Sequence, residues 1–194
     1  MHVHLETDRL VLRRFTERDA DLLVELDSDP EVMRYLDTGR PTPRDVVEHE
    51  VLPRILAGYR QHERFGRWAA LDRADGRFLG WIALGPPGER GCELGYRLRR
   101  AEWGKGYATE GGRAVIGLGF GELGVRRVYA ETMFVNAGSR RVMEKCGLSY
   151  VRTFHVDWPD PLPGTEFGEV EYAVTGEEWE RDGGVLRGAG GLGA

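Results

Sequence analysis

The chain has 194 residues, 41% of them hydrophobic and 10% aromatic, enough for one globular domain with a sizeable core. A net charge of −5 argues against a dedicated nucleic-acid binder, and no apolar run approaches the roughly 20 residues of a membrane span. Two cysteines, Cys92 and Cys146, without a CxxC spacing support neither a disulfide framework nor a zinc site, and the polar start MHVHLETDRL lacks the apolar stretch of a secretory signal. The expectation is a cytoplasmic protein with no membrane partner, no nucleic-acid partner and no metal.

In chain order, the HVH at residues 2–4 has no third ligand cluster and reads as a frayed terminus. Residues 9–14 (RLVLRR) form a first strand. Thr16 with Asp19 makes a capping box that opens a helix through about Asp27. Residues 30–36 read as a short helical turn. Thr42 as cap, Pro43 at the first helical position and Asp45 at the third begin a longer helix, which Pro53 should kink or split. A meander follows, RWAALDR, the turn ADG, then FLGWIAL, and after the turn PPGERG comes the strand CELGYRL. A helix over about 107–121 leads to the strand RRVYAET. Asn136 begins a helix that Gly147 stops in a left-handed cap. SYVRTFHV and EVEYAV are the last strands, joined by a proline-rich loop over 157–168, and Thr175 with Glu178 caps a short terminal helix. The order is β-α-α-β-β-β-α-β-α-β-β, an α+β fold with a mostly antiparallel sheet and one βα crossover in the middle. Residues 1–182 read as a single domain, and the glycine-rich residues 183–194 as a disordered tail.

The charge is uneven. Residues 97–145 carry +5 and hold both lysines, Lys105 and Lys145, while the rest of the chain carries −10. A basic section on an acidic chain suits a small polyanion, and it also suits a solvated, salt-bridged helix face. Within it, WGKGYATEGG at 103–112 places glycines at the mouth of a helix, where they destabilise it. The Walker spacing is absent. A GxGxxG does occur at Gly119, Gly121 and Gly124, but it follows a helix and precedes a strand, the reverse of a dinucleotide fingerprint. Gly104 and Gly106 stand correctly, strand before and helix after, so that backbone N–H groups can form a nest for a pyrophosphate at the positive helix end. A tight turn with no ligand is the plainer reading.

The segments ELGYRLRRAEWGKGYATEGGRAVIGLGF and VYAETMFVNAGSRRVMEKCGLSYV resemble the GNAT superfamily of acetyl-CoA-dependent N-acyltransferases. They are most similar to the branch of ribosomal-protein N-terminal acetyltransferases. The opening ETDRLVLRRFTERDADLLVELDSDPEVMRYL and the closing VEYAVTGEEW extend the likeness over roughly residues 5–180. The family signature (Gln/Arg)-x-x-Gly-x-(Gly/Ala) falls on Trp103, Gly104, Lys105, Gly106, Tyr107 and Ala108, with Trp in the first slot. The resemblance implies that strands 92–98 and 126–132 splay apart and that the pantetheine arm pairs with the backbone of Tyr96, Arg97 and Leu98. It implies that amides 104–109, Thr109 included, hold the pyrophosphate, with Lys105, Arg99, Arg100 or Arg140 adding charge. Asn136 matches the family asparagine that bonds the cofactor arm; it is also a good helix cap.

Acyl transfer from a thioester to an amine needs a base for the amine, a donor for the oxyanion and an acid for the thiolate. By resemblance the oxyanion donor is a backbone N–H near Leu98 and the base is Glu93, acting through a water. A strand glutamate also reads simply as solvated or ion-paired. The tyrosine that many relatives place seven residues after the asparagine is absent, since position 143 is methionine, and Ser139 is what this branch offers beside the sulfur. Cys146 lacks a histidine partner in sequence and reads as buried rather than nucleophilic. The acceptor side would be framed by the 30–40 segment, the strands holding Trp68 and Trp81, and the loop holding Trp158. Asp157, Asp160, Glu166 and Glu169 are there to attract a cationic amine or merely to solvate the loop. The implied activity is acetyl transfer to a primary amine of a small molecule by direct attack in a ternary complex. Transfer to a protein N-terminus and a non-catalytic acyl-CoA-binding module stand as alternatives. The implied partners are acetyl-CoA and the amine, with the chain a monomer or homodimer.

Overall fold

A computed structural model describes residues 2–36 and 38–184; the tail expectation therefore falls, but for its first two residues, outside the described residues. Eight strands form one sheet: β1 (Val3–Glu6), β2 (Leu10–Arg14), β3 (Gly66–Asp72), β4 (Phe78–Leu84), β5 (Cys92–Leu98), β6 (Arg127–Met133), β7 (Ser149–Phe154) and β8 (Glu169–Thr175). Their order across the sheet is β1-β2-β3-β4-β5-β6-β8-β7. Every neighbouring pair is antiparallel except β5 and β6, which are parallel and joined by the crossover helix. The α+β reading and the mostly antiparallel sheet hold.

The amino terminus differs from its reading. Residues 3–6 are a strand paired with β2, and His4 stacks on Trp68 with ring centroids 3.9 Å apart and planes 9° from parallel. Trp68 is fully buried beneath it. Burial, with Arg14 and Arg64 nearby, pushes the His4 imidazole down to about 4. What fixes this strand is the apolar face of the indole, a partner more than sixty positions away, so no local pattern announces it.

The first helix, α1 (Ala20–Asp27), is preceded by a 3-10 turn whose Asp19 accepts the Thr16 N–H at 2.7 Å. A short α2 (Pro30–Met33) follows. The next helix starts one residue later than read: Pro43 is the cap and α3 spans Arg44–Val46. A residue before proline is driven from the helical region, and the Thr42 N–H instead donates to Asp27 O at 3.0 Å. The α-helical run is split just before Pro53, as the sequence predicts. Residues 47–51 widen into π turns, so that Pro53 enters the second position of α4 (Leu52–Gln61), where an N–H is not required.

The crossover helix α5 (Tyr107–Glu122) lies on β4 and β5 at a close approach that glycine permits. A Cβ at Gly111 would stand 2.8 Å from the Ile82 side chain, and one at Gly112 would stand 2.7 Å from Cys146 Sγ. Helix α6 (Ala137–Lys145) covers β6, and Gly147 ends it at φ 86°. Helix α7 (Gly176–Arg181) buries Trp179. Among the described residues no helix is long and apolar enough to cross a membrane.

Candidate active site

The parallel seam has only two rungs, Cys92 with Val128 and Glu93 with Tyr129. Beyond them β5 continues through Tyr96, Arg97 and Leu98, still paired to β4 on its other edge, while its edge toward β6 has no strand partner. An opened edge of backbone donors and acceptors suits an extended guest with amide groups. Alternation splits its side chains. Tyr96 reaches toward α6, whereas Arg97 turns to the opposite face and pairs with Asp27 of α1 at 2.6 Å, both side chains nearly buried.

After β5 the chain makes a 3-10 turn and enters the glycine loop. Trp103 donates its indole N–H to Leu98 O at 2.9 Å, fastening the loop to the strand end. Gly104 has φ 74° and Gly106 φ 87°, backbone that side chains rarely adopt. A Cβ at Gly104 would meet nothing within 4 Å, and one at Gly106 would meet only Arg9 Nη2 at 3.3 Å. The outer face of the loop is thus open space. Gly106 is the cap of α5 and has no side chain to offer its first turn, so the N–H groups of Tyr107, Ala108 and Thr109 have no capping side chain at the positive helix end. The residues present fit a pyrophosphate.

Charge around the loop comes partly from an unforeseen residue. Arg9, between β1 and β2, donates to Lys105 O at 3.0 Å, pairs with Glu110 at 2.6 Å and stacks on the Tyr107 ring at 4.7 Å. Lys105 leans to the buried Glu102 at 3.1 Å, which also binds Arg77. Arg99 pairs with Glu25 of α1. Arg140 donates to Phe134 O and to the Tyr172 hydroxyl, each at 3.2 Å.

Asn136 caps α6 by accepting the Ser139 N–H at 3.2 Å, and its amide donates one hydrogen to Thr132 Oγ1 at 3.1 Å, leaving the second for a guest. The Tyr96 hydroxyl lies 2.9 Å from Ser139 O, to which it donates, and 3.0 Å from Ser139 Oγ. Burial pushes the Tyr96 phenol well above its ordinary range, so it stays protonated. This contact ties β5 to α6 where the strands no longer pair. Met143 is core, 2% exposed, and brings no hydroxyl to the gap.

Glu93 stands on the last rung, on the face opposite Tyr96, beside a cavity of about 400 Å³ formed with Tyr129 and the turn 85–91. Its side chain keeps access to solvent. Surrounding protein and the nearby Glu131 hold its carboxyl above the usual range, against the pull of Arg90 and Arg67. Both cysteines are fully buried, and burial pushes Cys146 up to about 12 and Cys92 up to about 11. Trp68 is core, and Trp81 is held between the guanidiniums of Arg67 and Arg97 at 4.0 and 5.4 Å. Trp158 is half-buried in the loop, where Asp157 and Asp160 are exposed and Glu166 accepts the Gly164 N–H at 2.8 Å. Among the described residues no three His, Cys, Asp or Glu side chains gather as a metal group.

The sequence profile of the acetyltransferase (GNAT) domain matches residues 9–149. An "FsC-acetyl coenzyme A-N(2)-transacetylase" of Aspergillus fumigatus is 38% identical over 188 residues, covering 91% of this chain and 78% of its own. A GNAT-family acetyltransferase from Bacillus anthracis superposes with a TM-score of 0.75 at 25% identity, over 91% of this chain and 99% of that one. The L7/L12 α-N-protein acetyltransferase RimL, solved with coenzyme A, has the same fold, with a TM-score of 0.75 at 14% identity over 90% and 98% of the two chains. With its opened parallel seam, its glycine loop and its matched profile, the chain belongs to the GNAT acetyltransferases and is an acetyl-CoA-dependent N-acyltransferase.

Proposed function

We propose that the acceptor is a primary amine of a small molecule and that the acetyl group passes to it directly, within a ternary complex, in the cytoplasm, where the two free thiols remain reduced. The observation that carries the reading is the division of the opened seam: a carboxylate, Glu93, on one face of β5, and a hydroxyl pair, Tyr96 with Ser139, on the other. Acetyl-CoA supplies the thioester carbonyl. The glycine loop and the helix end behind it hold the pyrophosphate, and the β5 edge at Tyr96–Leu98 aligns the arm, so that position rather than covalent chemistry lowers the barrier. Glu93 takes the proton of the incoming amine through a water, a task helped by its raised pKa. Ser139 offers its O–H to the leaving sulfur, and the Tyr96 hydroxyl, by donating to Ser139 O, holds that residue beside the gap. A covalent acyl-cysteine is disfavoured by two thiols that are buried and protonated.

The name of the Aspergillus relative, an N(2)-transacetylase, supports transfer of the acetyl group to a nitrogen. The test is release of free thiol from acetyl-CoA by the purified protein with small primary amines and, in parallel, with peptides bearing free N-termini. Turnover with the small amines supports the reading. Turnover with peptides alone, or coenzyme A binding without turnover on any amine, overturns it.

A further inference from the structure

Five acidic residues are buried among the described residues. Four have cationic partners. Asp19 pairs with Arg13 at 2.7 Å, Asp27 with Arg97 at 2.6 Å, Glu102 with Lys105 and Arg77, and Glu171 with Arg127 at 2.7 Å and Arg152 at 2.8 Å. Glu169 is the exception. It is 8% exposed, forms no ion pair among the described residues, and its Oε1 has no hydrogen-bond partner. A buried, unpaired carboxylate is a costly arrangement, and a fold that keeps one at a site commonly has a partner for it.

Its place in the sheet indicates what that partner is. Glu169 pairs with Met133, and Glu131 with Glu171, while Glu93 pairs with Tyr129. Paired and alternate residues share a face, so Glu93, Glu131 and Glu169 lie on the same side of the sheet, along the β6 bank of the opened seam. Glu131 is held by Arg90. Burial, and then the nearby Glu131, hold the Glu169 carboxyl above the usual range. The loop after β7 folds over this end: Phe134 N donates to Gly168 O at 2.9 Å, Leu162 lies against Gly39, and Val135 against Gly164. Met133 stands four residues beyond Tyr129, about 13 Å of strand from the rung of Glu93.

We propose that Glu169 docks a second cationic group of the acceptor, so that the preferred substrate is a diamine whose reacting nitrogen lies by Glu93 and whose distal ammonium reaches Glu169. The inference rests on the small-amine reading above, and binding is the readout that separates the two. Calorimetric titration of 1,8-diaminooctane and of octylamine into protein saturated with coenzyme A needs no turnover. The diamine binds about tenfold tighter or more, the order of one charged hydrogen bond. Glu169→Gln, which keeps the shape and removes the charge, abolishes that preference, leaves octylamine affinity unchanged and does not lower the melting temperature. Glu169→Asp keeps a preference for diamines and moves it to a longer chain. Equal affinities in the wild type, or a Glu169→Gln variant that weakens both amines alike, overturn the proposal. Absence of thiol release from acetyl-CoA with either amine counts against the small-amine reading alone.

Discussion

The two banks of the opened seam are built in opposite ways. The bank proposed for the coenzyme is local: a strand, the eight residues 99–106 and a helix start, contiguous over 92–109, with its chemistry in backbone groups and in two positive φ angles. The bank proposed for the acceptor is assembled from afar, with Glu93 on β5, Tyr129 and Glu131 on β6, Glu169 on β8 and a covering loop that meets residues near 39. A pyrophosphate presents the same charge and shape to every relative, so a short backbone nest suffices for it. An acceptor amine is recognised by side chains, and those come from wherever the sheet brings them.

The comparison breaks most visibly at Gly106. Gly106→Val puts a branched side chain at φ 87°, at a strain of roughly 1–3 kcal/mol, and fills the space a phosphate needs. Acetyl-CoA binding by calorimetry is lost, while circular dichroism remains that of the folded chain. Gly106→Ala gives an intermediate loss. Unchanged affinity in a folded Val variant removes the pyrophosphate from the loop.

On the acceptor bank, Glu93→Gln lowers kcat on the order of 10²-fold, with coenzyme A affinity little changed. The pH profile sharpens this. If Glu93 is the base it acts deprotonated, and its carboxyl is held above the usual range, so the wild-type rate falls on the acid side at a pH above that of an ordinary glutamate. The Gln variant loses that limb. A profile identical in both proteins places the base elsewhere.

Smaller effects come from the residues that join the banks. Tyr96→Phe removes the hydroxyl beside Ser139 and costs about 1 kcal/mol in the transfer step, roughly fivefold in kcat. Ser139→Ala costs the same order, and the double variant is no worse than either alone if the two act as one unit. Multiplying losses separate them. Arg9→Gln has the least effect, a few-fold rise in the KM for acetyl-CoA at low salt that fades at high salt, because the guanidinium is about half exposed. A salt-independent rise instead marks a direct contact.

What the sequence shows of this molecule follows the same division. Helix α5, the meander β3–β5, the Asn136 cap and the left-handed Gly147 are legible, because each is a pattern within a few residues. Strand β1 is not, since its stability comes from His4 on Trp68 and from pairing with β2. Nor is Arg9, whose partner Glu110 is 101 positions away, nor the Tyr96 hydroxyl, which meets Ser139 only because β5 and α6 converge across the seam. Glu169 is visible in sequence as one of four loop acids. Its lack of a partner is a property of the folded chain alone.

The measurement that meets the central claim most directly is amide hydrogen exchange with and without coenzyme A. If the glycine loop and the free edge of β5 hold the cofactor, the amides of Tyr107, Ala108 and Thr109 slow markedly on addition of coenzyme A. So do those of Tyr96–Leu98 that face the gap, while the loop over 155–168 is unaffected until an amine is added. Protection that appears elsewhere in the sheet, or none at residues 104–109 under saturating coenzyme A, contradicts the account.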